Sequence, residues 1–234
     1  MKIVDLKCAL IGNHPIIRIV TDEGISGYAQ IEHHKAFIKP HVLSFREALV
    51  GADPTDVERV MLRIRQRGAF KPYGSAVIAI EMALWDISGK AAGLPVYKLL
   101  GGKVRDEVRV YNGALRFPMA GYRPQDYADD VRRMMALPEG FTIIKQPISF
   151  YRPMNGVLGL AVLVQVCATL PHDFIAFEYP GPNAPWWHDI AEGLPSPVVK
   201  NGMITVWERS GMGIDLIPGR ARAYLTEEDS AFFG

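Results

Sequence analysis

Residues 76–101 read AVIAIEMALWDISGKAAGLPVYKLLG, and this stretch decides the fold. Ala76, Ile80, Ala83, Leu84 and Ile87 recur at helical spacing and form one apolar stripe, so the spacing predicts a helix over residues 74–92. Gly93 supplies the stop, because glycine takes the left-handed conformation that ends a helix without a Cβ clash. Ala79 is a small residue at which a second element can approach closely. Leu84 and Trp85 fall on or beside the packed face.

Outward toward the N-terminus, residues 2–12 alternate and stop at Gly12-Asn13, residues 15–21 (PIIRIVT) are β-branched, and a short strand covers 27–31 after the turn signals Glu23-Gly24 and Ser26-Gly27. The expectation is an antiparallel meander of three strands. A helical region over 36–50 carries Phe37, Ile38, Val42, Leu43 and Ala48. A further helix starts at Asp53-Pro54-Thr55-Asp56, with Asp53 as cap and Pro54 in the first helical position, and runs to about Gln66.

Outward toward the C-terminus, Gly101-Gly102 marks a change of pattern. Residues 107–115 read as a strand, 124–137 as a helix and 142–146 (TIIKQ) as a strand, the order of a βαβ unit with a parallel sheet. Residues 157–170 form an apolar helix, 174–178 a strand, and the tail holds one hairpin, VVK then Asn201-Gly202 then MITVW.

The chain has 234 residues, 49% of them hydrophobic, and a formal net charge of +1. Such a balance gives no electrostatic reason for a nucleic-acid partner. The longest apolar run, 157–167, is far shorter than a membrane span, and no signal peptide is read at MKIVDLKCAL, so neither a membrane nor export is expected and the compartment is expected to be cytoplasmic. Cys8 and Cys167 sit in apolar runs and read as two buried thiols rather than a disulfide or a metal site.

The same 76–101 stretch resembles the signature helix of the mandelate racemase and muconate lactonizing enzyme family of the enolase superfamily. Ala76, Ala79, Ile80, Glu81, Ala83, Leu84, Asp86, Gly89, Lys90, Pro95, Val96, Leu99, Leu100 and Gly101 match in order and spacing. Ile78 departs, since a small residue or Asn is usual there. The meander with Gly24 and Gly27-Tyr28 looks like the family's first hairpin, and GLPSPVVKNGMITVWERSGMGIDL is similar to its closing segment. The resemblance implies an α/β chain: an enolase-type α+β capping domain over residues 1–106, an incomplete remnant of a (β/α) barrel over 107–172, and a segment over 173–234 that returns to the cap.

The resemblance also implies chemistry. The family removes the proton α to a carboxylate, and a divalent metal, normally magnesium, stabilises the charge that develops. Its metal ligands stand on the third, fourth and fifth barrel strands, and a complete barrel needs about 250 residues. Here roughly 65 residues occupy that place by the same comparison, and the gap falls between about Tyr151 and Val157. Metal ligands and base are therefore expected to be absent. No cofactor is expected in this chain, with magnesium reserved for an intact relative.

Lys145 matches the first position of the family's Lys-x-Lys motif, whose usual role is to help bind the substrate carboxylate, while Pro147 stands where the base would be and cannot exchange a proton. Lys145 is thus either a substrate contact or a solvated lysine. The cap loops Gly12-Asn13-His14, Glu32-His33-His34-Lys35 and Phe70-Lys71-Pro72-Tyr73 correspond to loops that choose the substrate, and His33, Lys35, Lys71 and Tyr73 would suit a sugar acid or hydroxylated amino acid. Glu32-His33-His34 invites a metal reading, but adjacent residues on a strand point to opposite faces, so no metal is expected there. Three readings stay open: a truncated homologue of a magnesium-dependent dehydratase or racemase without catalysis of its own, an enzyme completed by a partner chain or using a relocated site, and a binding or homo-oligomerisation module. The small carboxylic acid partner belongs to an intact relative.

Overall fold

The computed structural model describes residues 1–68, 73–113, 117–119, 121, 124–145, 157–169, 176–179 and 186–234. Strands β1 (Ile3–Ile11), β2 (His14–Thr21) and β3 (Ser26–Gln30) form the expected antiparallel meander in chain order. Ile11 pairs with His14, so Gly12 and Asn13 alone make the turn. Both have positive φ, 50° and 64°, which a two-residue hairpin of this hand requires. Register puts Leu6 opposite Ile19 and Cys8 opposite Ile17, and Ile17 opposite Ala29, which gives the sheet one continuous apolar face.

Five helical segments follow: α1 (Lys39–Leu43), α2 (Arg46–Leu49), α3 (Val57–Gly68), α4 (Gly74–Ala92) and α5 (Val96–Leu99). The single helical region expected over 36–50 is instead a 3-10 turn at Ala36–Ile38, then α1 and α2. The break has a local cause. The Ser44 hydroxyl donates to the His41 carbonyl at 2.7 Å and the Phe45 N–H donates to Val42 at 3.1 Å, which tightens the chain into a turn. The next helix starts at Val57 rather than at Pro54. Asp53 accepts from both the Thr55 N–H (2.9 Å) and the Thr55 hydroxyl (2.6 Å), so it closes a turn of its own ahead of the helix.

Helix α4 lies on the sheet through Ala76, Val77, Ala79, Ile80, Ala83, Leu84 and Ile87, all buried in one cluster with Leu6, Cys8, Ile17, Ile19 and Ala29. It comes close to the sheet at Gly27, where a Cβ would stand 2.1 Å from the Ala83 carbonyl oxygen. Gly93, at φ 65°, ends the helix, and the Leu94 N–H donates back to Gly89 at 2.9 Å.

The second layer centres on β4 (Glu107–Asn112). Between β4 and the end of the chain lie α6 (Pro124–Met135), α7 (Val157–Cys167), β5 (Phe177–Tyr179), α8 (Trp186–Ile190), β6 (Ala191–Glu192), β7 (Met203–Thr205), β8 (Asp215–Leu216) and α9 (Pro218–Ala221). β5 pairs parallel to β4, Ile144 bridges parallel to Asn112, and β7 pairs antiparallel to β4. The strand expected over 142–146 is thus a single bridge at Ile144 among the described residues, with Gln146 outside them. The strand expected over 107–115 ends at Asn112, and residues 114–116 lie outside the described set. The Asn201-Gly202 hairpin forms, with both residues at positive φ (52° and 71°). Its return strand, β7, covers one side of β4, which the sequence reading did not foresee. Among the described residues no barrel closes.

Helix α7 buries Leu160, Ala161 and Val164 beneath this sheet with Val108, Val110, Tyr179 and Ile204. Met82 and Trp85 of α4 pack against both apolar clusters and join the layers. Trp187 is buried in the second cluster. The tail also meets the cap: Met212 donates its N–H to Asp86 at 2.9 Å, and Arg18 donates to the Phe232 carbonyl at 3.0 Å.

Candidate functional site

The end of the cap collects His33, Lys35 and Tyr73. Lys35 Nζ donates to Glu32 Oε1 at 2.9 Å and to the Ser75 hydroxyl at 3.0 Å, which ties the loop after β3 to the start of α4. Burial opposes it, but Lys35 and neighbouring hydrogen bonds hold the Glu32 carboxylate below its ordinary range. Tyr73 stands at the N-terminus of α4 with its ring 4.9 Å from that of His41. Lys71 lies outside the described residues. Beside Lys35 a cleft of about 200 Å³ opens between the layers, lined by Gln30, Glu32, Ser75, Ile78 and Met82 of the cap and Val162 of α7.

His33 has a different setting from the one expected. β3 ends at Gln30, and His34 takes φ 65°, so residues 32–34 are not a strand. The turn brings neighbouring rings together instead of apart. His33 and His34 have ring centroids 3.4 Å apart, and His14 from the β1–β2 turn lies 5.0 Å from His33. Among the described residues no three His, Cys, Asp or Glu side chains are placed to hold a metal ion.

Lys145 sits on the second layer, beside β4. Its N–H donates to the Asn112 carbonyl at 2.9 Å, so the backbone bridge to β4 positions it. Its half-exposed side chain pairs with Glu178 Oε2 at 3.0 Å, and the Tyr111 hydroxyl donates to the same oxygen at 2.9 Å. Burial and this carboxylate push the Tyr111 phenol up to about 12. Among the described residues Glu178 Oε1 is buried with no hydrogen-bond partner, and Gly113 makes room for it, since a Cβ there would stand 2.1 Å from Oε1. Glu178 and Tyr111 were not singled out from the sequence. The available signal was an acid between two aromatic residues in a short β run, Phe177-Glu178-Tyr179.

This donor set does not suit magnesium. Magnesium takes oxygen ligands in near-octahedral array, usually from carboxylates with water. Among the described residues, one carboxylate faces an ammonium and a phenol at the strand ends. The buried polar centre of the cap is structural as well. Asp86 accepts from the N–H of Tyr28 (3.1 Å), the N–H of Met212 (2.9 Å) and Lys90 Nζ (2.8 Å), and Lys90 also donates to the Ser26 carbonyl at 3.0 Å. These bonds join β3, α4 and the tail. Cys8 and Cys167 are buried free thiols on separate elements, and burial pushes them up to about 12 and about 11.

A three-stranded meander capped by α4, with a tail hydrogen-bonded to the middle of that helix, defines an enolase-type capping domain. Residues 12–101 match the model of the mandelate racemase / muconate lactonizing enzyme N-terminal domain. It is similar to the D-galactonate dehydratase of Variovorax paradoxus, with 40% identity over 124 residues, 51% of this chain and 31% of that enzyme. The aligned region thus spans about a third of the length of the curated relatives it matches. A crystal structure of an enolase from Agrobacterium radiobacter, proposed to be a galactarate dehydratase and solved with sodium and L-malate, is 33% identical with a TM-score of 0.51 over 62% of this chain and 38% of that one. A mandelate racemase/muconate lactonizing enzyme-like protein from Rubrobacter xylanophilus superimposes with a TM-score of 0.72 over 99% of this chain and 100% of that one, at 19% identity, which speaks to fold alone.

Proposed function

We propose that this chain is an internally shortened homologue of a magnesium-dependent sugar-acid dehydratase, keeping the cap but without catalysis of its own. The observation that carries the reading is the contrast between the two halves. The cap has its full meander, its helix and its tail contacts, and about half of the chain aligns with D-galactonate dehydratases. The parallel sheet has, among the described residues, only β4, β5 and the bridge at Ile144.

Dehydration of a sugar acid removes the proton α to the carboxylate and expels the β-hydroxyl. A magnesium ion supplies the stabilisation of the developing charge in an intact relative. In this chain Lys145 would contribute a cation toward a substrate carboxylate, and His33, Lys35, Lys71 and Tyr73 polar groups toward its hydroxyls. These assignments follow the positions of the family's motif and loops. A base is missing from the set, because Pro147 occupies its position.

The test is direct. The purified chain is incubated with D-galactonate and magnesium, and formation of the 2-keto acid is followed alongside calorimetry with magnesium alone. We expect no turnover and no saturable magnesium site. Turnover that is abolished by Lys145→Ala would overturn the reading in favour of a working, relocated site.

A further inference from the structure

We propose that the cleft between α4 and α7 binds a small neutral ring compound carrying a hydroxyl, with phenol the simplest case. The cleft lies where the cap meets the second layer, and small residues keep it open. Ala79 on α4 and Gly159 on α7 stand in its wall, and neither has a side chain long enough to reach across. About 200 Å³ is left between the layers. For scale, an apolar cavity of about 150 Å³ holds a benzene molecule.

The walls favour an apolar body. Ile78 and Met82 face the space from the cap, and Val162 and Leu163 face it from α7. Met82, Val162 and Leu163 are held in place by the second apolar cluster. Ile78 keeps 52% of its surface exposed, although it stands on the helix that packs the cap. A ring seated in the cleft would cover part of that surface, and the apolar area removed from water supplies the affinity.

The rim sets the charge and the polar group. Lys35 Nζ donates to Glu32 and to the Ser75 hydroxyl, and that hydroxyl donates in turn to Glu32. The charges of Lys35 and Glu32 are therefore already matched to each other. An ionised ligand would give up its water there without gaining an unpaired countercharge. Gln30, also on the rim, leaves an acceptor. Its amide nitrogen lies 3.0 Å from His14 Nδ1, while its amide oxygen accepts no hydrogen bond among the described residues. A ligand hydroxyl can donate to that oxygen, which a bare hydrocarbon cannot do.

Methyl NMR of the full chain, titrated with phenol, reads the site. The titration contains neither magnesium nor a sugar acid, so its outcome is separate from that of the enzymatic reading. The methyl signals of Ile78, Val162 and Leu163 should shift saturably with a Kd of about 1 mM, while those of Ile17 and Ile19 stay in place. Shifts that rise linearly to about 20 mM phenol, or that are as large at Ile17 as at Ile78, overturn the site. Benzene should bind at least about threefold more weakly than phenol, and benzoate at least about tenfold more weakly. Benzene equal to phenol overturns the role of the hydroxyl, and benzoate equal to phenol overturns the choice of a neutral ligand. Ile78→Asp, at an exposed position, should weaken phenol at least about tenfold with the Ile17 and Ile19 signals unchanged, and an unaltered Kd refutes the proposal. Nuclear Overhauser contacts between phenol and the Val162 methyl groups need no variant. Their presence supports the site, and their absence at saturation overturns it.

Discussion

Single positions carry much of this fold. Leu84 is fully buried in the cap cluster, so Leu84→Ala should lower stability by roughly 2–5 kcal/mol in denaturant titration. Ile78→Ala, on the same helix but half-exposed, should change it by less than about 0.5 kcal/mol, and a similar loss at both sites would show that α4 is not packed as described. Gly27 is needed for space rather than for its backbone freedom. Gly27→Ala forces a methyl group against the Ala83 carbonyl and should cost about 1–3 kcal/mol or more. Removing the charge of Asp86 would leave the largely buried Lys90 with Asp215 and the Ser26 carbonyl and strand the amides of Tyr28 and Met212, so Asp86→Ala should destabilise by roughly 3–5 kcal/mol, read by thermal or chemical unfolding. Leu84 was legible in the sequence from helical spacing. The roles of Gly27 and Asp86 were legible only as matches to a family pattern, because the carbonyl and the amides they meet come from residues far along the chain.

At the scale of elements, a carboxylate helps hold the tail to β1, beside the Lys7 bond to the Ala231 carbonyl and the Ile11–Leu225 bridge. Asp229 accepts from the Leu10 N–H at 2.7 Å and the Thr226 hydroxyl at 3.0 Å, and pairs with Lys39 of α1. Burial pulls this carboxyl upward, but the three donors outweigh it and hold it below its ordinary 3.8. Its contribution is therefore present above that value and is lost as pH falls through the depressed one. Limited proteolysis should accordingly cut the last residues of the Asp229→Asn variant faster than those of the native chain at neutral pH, and equal cutting would remove Asp229 as the latch. Strand β4 makes a related point about reading elements. Glu107 and Arg109 are exposed while Val108 and Val110 are fully buried, the alternation of a sheet with one wet face. That pattern was present in EVRV, and it fits an open sheet better than a strand enclosed on both sides.

For the whole molecule, Met82 and Trp85 touch both apolar clusters, and the tail reaches both layers. Unfolding should therefore be a single transition, with far-UV and near-UV signals coinciding. Trp85→Ala should separate the two signals or lower both together. A native chain that already shows two resolved transitions would mean that the layers are energetically independent.

By itself the sequence determined the meander, the place and end of α4, the Asn201-Gly202 turn and the family pattern of residues 76–101. All of these rest on local rules: two-residue and 3.6-residue periodicity, and the few residues that accept positive φ. Only the tertiary structure decided that β7 would lie along β4, that Glu178 would meet Lys145 from 33 residues away, and that His14 would meet His33 across the end of the sheet. Each of these contacts joins segments distant in sequence, and which distant segments meet is set by packing of the apolar faces, a sum over the whole core that no local window contains.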